Sequence, residues 1–161
     1  MRRKDREVTD LQTILGIIGN CPIVRLGLAD GDFPYIVPVN FAYDMEGEQL
    51  YLYIHSAKAG RKYGLMTQNG KCSFEMDVFG GVIAMPEKKD STTIYHSVMG
   101  EAEIEFLEGE AAFDCAKRLM ARYDATRHAP FNEAAVPHTC FARLKVVSLA
   151  AKANRGPDHA E

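Results

Sequence analysis

Apolar and polar residues recur along this chain with two different periods, and the change from one to the other marks its elements. After the charged start MRRKDREVTD, the apolar residues Leu11, Ile14, Leu15 and Ile18 return at three and four. That spacing predicts a short helix capped by Thr9 and ending near Gly19 and Asn20. Residues 23–29 are β-rich, Asp30-Gly31-Asp32 reads as a turn, and residues 35–43 resume as a second strand. A further turn at residues 45–48 leads into the apolar, aromatic run Leu50-Tyr51-Leu52-Tyr53-Ile54, so three consecutive strands are expected to form a meander. Small residues at 56–60 break the pattern before a short helix over 61–68 and the turn Asn69-Gly70.

Residues 71–79 alternate as a fourth strand, whereas residues 80–91 mix Gly, Pro and charge and read as a long, mobile excursion. A long β-rich run follows over 92–106, with Gly100 placed where a bulge or bend would curve a sheet. Helical spacing returns over 109–123, through Ala112, Cys115, Ala116, Leu119 and Tyr123, with Lys117, Arg118 and Arg122 toward its C-terminal half. A loop bearing Pro130 and Pro137 leads to a last strand over 139–149, and residues 151–161 have the composition of a frayed tail. No regular βαβ alternation runs through this order, so a mainly β, antiparallel barrel with peripheral helices fits better than a doubly wound parallel fold.

Composition changes this picture little. The 161 residues suit one domain with a core over about 7–150, and 47% apolar with 25% charged residues is ordinary for a globular chain. A net charge of −3 argues against general nucleic-acid binding, so any anion site must be local. Cys21, Cys72, Cys115 and Cys140 are scattered without a metal-ligand spacing, and no metal is expected. The charged start and the lack of a long apolar run lead to the expectation of a cytoplasmic protein that does not engage a membrane.

The segment most suggestive of chemistry is His55-Ser56-Ala57-Lys58-Ala59-Gly60-Arg61-Lys62, between a strand and a helix start. A phosphate monoester needs a hydroxyl, free amides at a helix N-terminus and a cation together, and Ser56, Gly60, Lys58, Arg61 and Lys62 offer all of them. Read from local physics alone, such a cluster is more often a solvated basic face. Glu75 and Asp77 share one face of a strand and read as solvent-exposed carboxylates rather than an acid/base pair. His96, His128, His138 and His159 receive no role.

Three runs occur together in order: residues 35–43 (YIVPVNFAY), residues 52–62 (LYIHSAKAGRK), and Phe74-Glu75-Met76-Asp77. With Tyr95-His96-Ser97-Val98-Met99-Gly100 and Glu103-Ile104-Glu105-Phe106 behind them, the chain resembles the nitroimidazole-resistance branch of the pyridoxamine-phosphate-oxidase-like superfamily over about residues 5–150. The resemblance implies a split β-barrel that dimerises and holds FMN in a groove between two subunits. Matched motif by motif, it implies that Ser56, Lys58, Gly60, Arg61 and Lys62 hold the phosphate and that Pro38, Val39, Asn40 and Phe41 line the isoalloxazine. Tyr53, Ile54 and His55 would complete the wall. It places His55 where the family sets a histidine beside the cofactor, so His55 is the candidate catalytic proton donor; its other reading is a strand-end histidine satisfying a carbonyl.

True pyridoxine-phosphate oxidases carry a C-terminal segment rich in Trp, Arg and Pro, and this chain has no tryptophan. That activity is not expected. A flavin-dependent reductase of a small acceptor, nitro-aromatic or similar, is the enzymatic expectation. The alternatives are a flavin-binding protein without turnover and a haem-handling protein on the same barrel, using His55 or His96.

Overall fold

The protein's structure, a computed structural model, describes residues 3–124, 126 and 129–154. After the two-residue strand β1 (Glu7–Val8), helix α1 spans Leu11–Asn20. Its cap is Asp10 rather than Thr9: the Asp10 carboxylate accepts from the Thr13 amide at 2.8 Å and from the Thr13 hydroxyl at 2.6 Å. A carboxylate suits this end because it also complements the positive pole of the helix. Of the expected stripe Ile14 and Ile18 are buried, Leu15 is half-buried and Leu11 is exposed, while Ile17 is buried in addition.

Strands β2 (Val24–Leu28) and β3 (Tyr35–Val39) form a hairpin whose turn uses Gly31 at φ +63°. The run read as one strand over 35–43 is two. It parts at Asn40, and β4 (Phe41–Glu46) pairs with β5 (Gln49–Ala57) instead of continuing beside β2, so no three-strand meander forms. A continuous apolar run looks the same whether its strand keeps one partner or passes to another. Helix α2 spans Gly60–Asn69 and stops at Gly70, which has φ +63°.

Strands β6 (Lys71–Met85) and β7 (Asp90–Leu107) are one long hairpin, so the expected excursion over 80–91 is paired backbone except for Gly80 and the turn over 86–89. The glycines that suggested a loop form a bulge. Phe79 faces Tyr95 and Gly81 faces Ile94, leaving Gly80 over, and a Cβ on Gly80 would meet the Ile94 Cγ2 at 2.8 Å. Helix α3 (Gly109–Tyr123) matches its spacing. Strand β8 (Thr139–Asn154) runs beyond the expected residue 149: Ala151 and Lys152 pair with β1, and Ala153 and Asn154 with β7. Residues 151–154 are therefore sheet rather than tail, and the rest of the expected tail lies outside the described residues.

All ladders are antiparallel, in the order β3-β2-β6-β7-β8-β5-β4, with β1 added on β8. Strands β3 and β4 are the two ends of this path, yet only Asn40 separates them in sequence. One core cluster takes Leu26, Val39, Phe41, Leu52, Ile54, Phe74, Val98 and Leu144 from across the sheet, together with the α1 isoleucines and Leu65 and Met66 of α2. The sheet thus curls around a single interior and meets itself at Asn40 without a closing ladder. A second cluster lies on the outside, where Ala112, Cys115, Ala116 and Leu119 of α3 cover Tyr51, Tyr53 and Phe141. Each large apolar side chain so buried contributes about 1.5–3 kcal/mol.

Candidate functional site at the barrel seam

The β4–β5 ladder ends at the pair Phe41 and Ile54. Counting one step further, Asn40 and His55 stand where the two strands part, because β3 leaves for β2 while β5 continues alongside β8. Both residues are exposed. The seam is thus bordered by residues 38–40 on one side and residues 55–57 on the other, and α2 begins three residues later.

Strand alternation decides what each predicted site residue presents. Val39, Phe41 and Ile54 send their side chains into the core, so what they can offer a ligand is backbone. Tyr53 is buried beneath α3, with its hydroxyl on Glu46 at 3.1 Å and the Arg118 guanidinium 5.0 Å over its ring. Pro38 and Asn40 are exposed. Ser56 is the buried polar residue of the set: it stands opposite Cys140 in the β5–β8 ladder, and its hydroxyl donates to the Ala57 carbonyl at 3.0 Å, leaving lone pairs but no proton to give.

The cations divide. Lys62 is half-buried, and its ammonium is close enough to depress the His55 imidazole and, with Lys58, to favour the Cys140 thiolate. Burial lowers the Lys62 pKa itself, while raising that of Cys140 more than the two lysines lower it. Lys58 donates to the Pro137 carbonyl at 2.7 Å. Arg61 turns the other way, pairing with Asp30 at 2.5 Å and stacking 4.7 Å from the Tyr35 ring. A phosphate bound at this helix start would share Arg61 with Asp30 or displace the carboxylate. Gly60, at φ +86°, lets the chain turn into α2, whose cap makes no side-chain hydrogen bond and leaves the first-turn amides to other acceptors.

The His55 ring faces Phe141 with centroids 6.3 Å apart. Partial desolvation there, and secondarily the Lys62 charge, hold its pKa below the ordinary histidine value, so the imidazole is neutral at pH 7. Asp30, Tyr35, Cys140 and Phe141 were not in the sequence-derived set. They reach the site through pairings between remote segments, for which no local spacing exists.

Glu75 and Asp77 both accept from Arg25, at 3.1 and 2.6 Å, on the outer face of the sheet. The exposed carboxylates of the sequence reading are an ion triad. Among the described residues no group of three or more His, Cys, Asp or Glu is arranged to hold a metal, and no helix is long and apolar enough to cross a membrane. The four cysteines are buried free thiols. His96 is half-buried on β7 and His138 exposed at the start of β8, while His128 and His159 lie outside the described residues.

A barrel seamed beside a cationic helix start defines a class of fold, and comparison with known proteins gives it a family. The family model of pyridoxamine 5'-phosphate oxidase matches residues 10–153, and the chain belongs to that family. Among solved structures it is similar to a protein of Bacteroides thetaiotaomicron provisionally assigned to 5-nitroimidazole antibiotic resistance, with 23% identity over 91% of this chain and 86% of that one and a TM-score of 0.78. It is also similar to a flavocytochrome from Azotobacter vinelandii, with 19% identity, 98% and 73% coverage and a TM-score of 0.75. An FAD- and haem-binding protein from Mycobacterium smegmatis gives 15% identity, 94% and 74% coverage and a TM-score of 0.79. No curated protein matches the sequence. The fold is therefore the mainly β, antiparallel split barrel that the sequence resemblance implied.

Proposed function

We propose that this protein binds FMN at the seam and works as a flavin-dependent reductase of a small acceptor, with nitro-aromatics the first class to try. The observation that carries the reading is the seam itself: the ladder stops at Phe41 and Ile54, and the strand edges it frees lead directly into a helix start bearing Lys58, Arg61 and Lys62. A flat, polar-edged ring on a phosphate tail fits an open pair of strand edges followed by a cationic helix terminus. The names of the structural neighbours, a flavocytochrome and an FAD- and haem-binding protein, support the choice of flavin.

In this reading Lys62, Lys58 and the first-turn amides of α2 hold the phosphate, with the Ser56 hydroxyl turned from the Ala57 carbonyl to donate to it and Arg61 recruited from Asp30. Backbone groups of Val39, Asn40, Phe41, Ile54 and His55 meet the polar edge of the ring, and Pro38 packs against its face. Bound flavin supplies the electron transfer. His55, neutral at pH 7, presents one donor and one acceptor nitrogen at the seam and gives up a proton only in its less populated acid form. The chain acts as a homodimer with a site completed by the second copy. Support for a partner comes from apolar residues left to solvent on the outer sheet face, Ile36, Met99 and Val147.

Changing both Arg61 and Lys62 to alanine is expected to weaken FMN binding about 100-fold, as two charge-assisted contacts are lost. Retained wild-type affinity would show the cradle to be elsewhere. Turnover of a nitro-aromatic with a nicotinamide donor distinguishes the reductase from a binder without chemistry. A haem absorption band in place of a flavin one would favour the haem-handling alternative.

A further inference from the structure

The seam lacks a closing ladder, so something else must hold its two ends in register. The last turn of α3 does so. The Tyr123 hydroxyl accepts from the Phe41 amide at 3.0 Å and donates to the Pro22 carbonyl at 2.7 Å, which satisfies the first backbone donor after the break at Asn40. Beside it, one Arg122 nitrogen donates to the carbonyls of Ile18, Gly19 and Cys21 at 3.1, 3.4 and 2.7 Å. These are the last carbonyls of α1 and the residue after it, where a cation complements the negative pole of a helix. The same guanidinium lies 4.2 Å over the Phe41 ring and 5.2 Å over that of Tyr43. Gly19 belongs to this junction, since a Cβ there would meet the Tyr43 hydroxyl at 2.8 Å.

These contacts join residues about a hundred positions apart and converge on one point, the start of β4. Strand β3 is held by β2 along its whole length, up to Val39 opposite Val24. Asn40 is thus suspended between β3, held by its ladder to β2, and β4, held by its ladder to β5 and tied at its first residue to α3. We propose that Arg122 and Tyr123 are positioning residues for residues 38–41, setting the width and backbone orientation of the seam in which the flavin ring lies; this rests on the flavin reading above. Neither side chain is placed in the phosphate cradle, so their effect falls on the ring half of the ligand.

The experiment measures dissociation constants for both FMN and riboflavin, with the absorption spectrum of each bound flavin, on the purified full chain and its Tyr123→Phe variant. The variant keeps the ring and loses the hydroxyl. Both flavins are expected to bind about tenfold more weakly, by the same factor, with displaced absorption bands, because one backbone N–H at the seam has lost its acceptor. Arg122→Lys, which keeps the charge and loses the planar fork, is expected to act in the same direction and carries the test if the first variant does not fold. Lower Tm with unchanged affinities and spectra would reduce the pair to a structural clamp and overturn the inference. A loss confined to FMN would also overturn it, by placing the effect at the phosphate. Wild-type protein that binds neither flavin would instead overturn the flavin reading itself.

Discussion

At the scale of single residues, His55 and Lys62 show how much depends on facing. Desolvation against Phe141, with the Lys62 charge adding to it, makes the folded chain hold the His55 proton less tightly than the unfolded chain does. Its contribution to stability is therefore complete above the ordinary histidine value and is lost as pH falls from there through its depressed folded value. An NMR titration is expected to place His55 below the ordinary value, and Lys62→Met to raise it part of the way, burial being the larger cause. An unmoved titration in that variant would separate the two side chains. If His55 gives the proton in turnover, the rate per bound flavin rises as pH falls toward that depressed value, and His55→Ala abolishes the rise while leaving the flavin in place.

The cationic cluster at residues 58–62 was legible as a run because a strand-to-helix junction is local. Which of its side chains converge was not. Arg61 turns to Asp30 and Tyr35, and Lys62 turns to Cys140, through partners 26 to 78 positions away, while His55 lies only 7 positions from Lys62. The buried facing of Val39, Phe41 and Ile54 follows from alternation once the strand partners are known, and those partners are not written in the strand's own composition.

Among the elements, helices α1 and α3 were read from their spacing, because a 3.6-residue period is intrinsic to the segment, and α2 from the residues that bound it. The errors fell where a glycine or an apolar run has two uses. Gly80-Gly81 reads as loop and serves as a bulge within the β6–β7 hairpin. At Gly100, the expected bend site, the extra residue is instead Val147 on the neighbouring strand, because Glu101 faces Ser148 while Ala102 faces Val146. The glycine is needed for a different reason: a Cβ there would strike the Ser148 carbonyl oxygen and come within 2.5 Å of the Phe74 ring. Gly100→Ala is expected to cost about 3 kcal/mol in urea unfolding, since neither a sheet backbone nor a core ring can give way cheaply. Asp10→Ala, which removes only the α1 cap, is expected to cost about 1 kcal/mol. A Gly100→Ala protein no less stable than the Asp10→Ala one would show that the barrel wall yields more readily than its packing implies.

For the molecule as a whole, the mainly β antiparallel order could be read from the chain, but its seam could not. Strands β3 and β4 follow one another in sequence and end at opposite edges of the sheet. Only the three-dimensional path shows that their junction is the opening of the barrel. That opening explains why the two most informative motifs, residues 35–43 and 52–62, lie side by side: Phe41 pairs with Ile54, and beyond them the strands separate. It also makes the quaternary prediction testable. Sedimentation of the full chain is expected to give a dimer, and a monomer that holds FMN tightly would contradict a site shared between two copies.

The most direct measurement is the absorption spectrum of the freshly purified protein, with FMN added if it is colourless and the released chromophore identified by mass. The account predicts flavin bands and FMN on release. Protein that stays colourless and leaves added FMN free, or that carries a haem band alone, would contradict the flavin site at the seam.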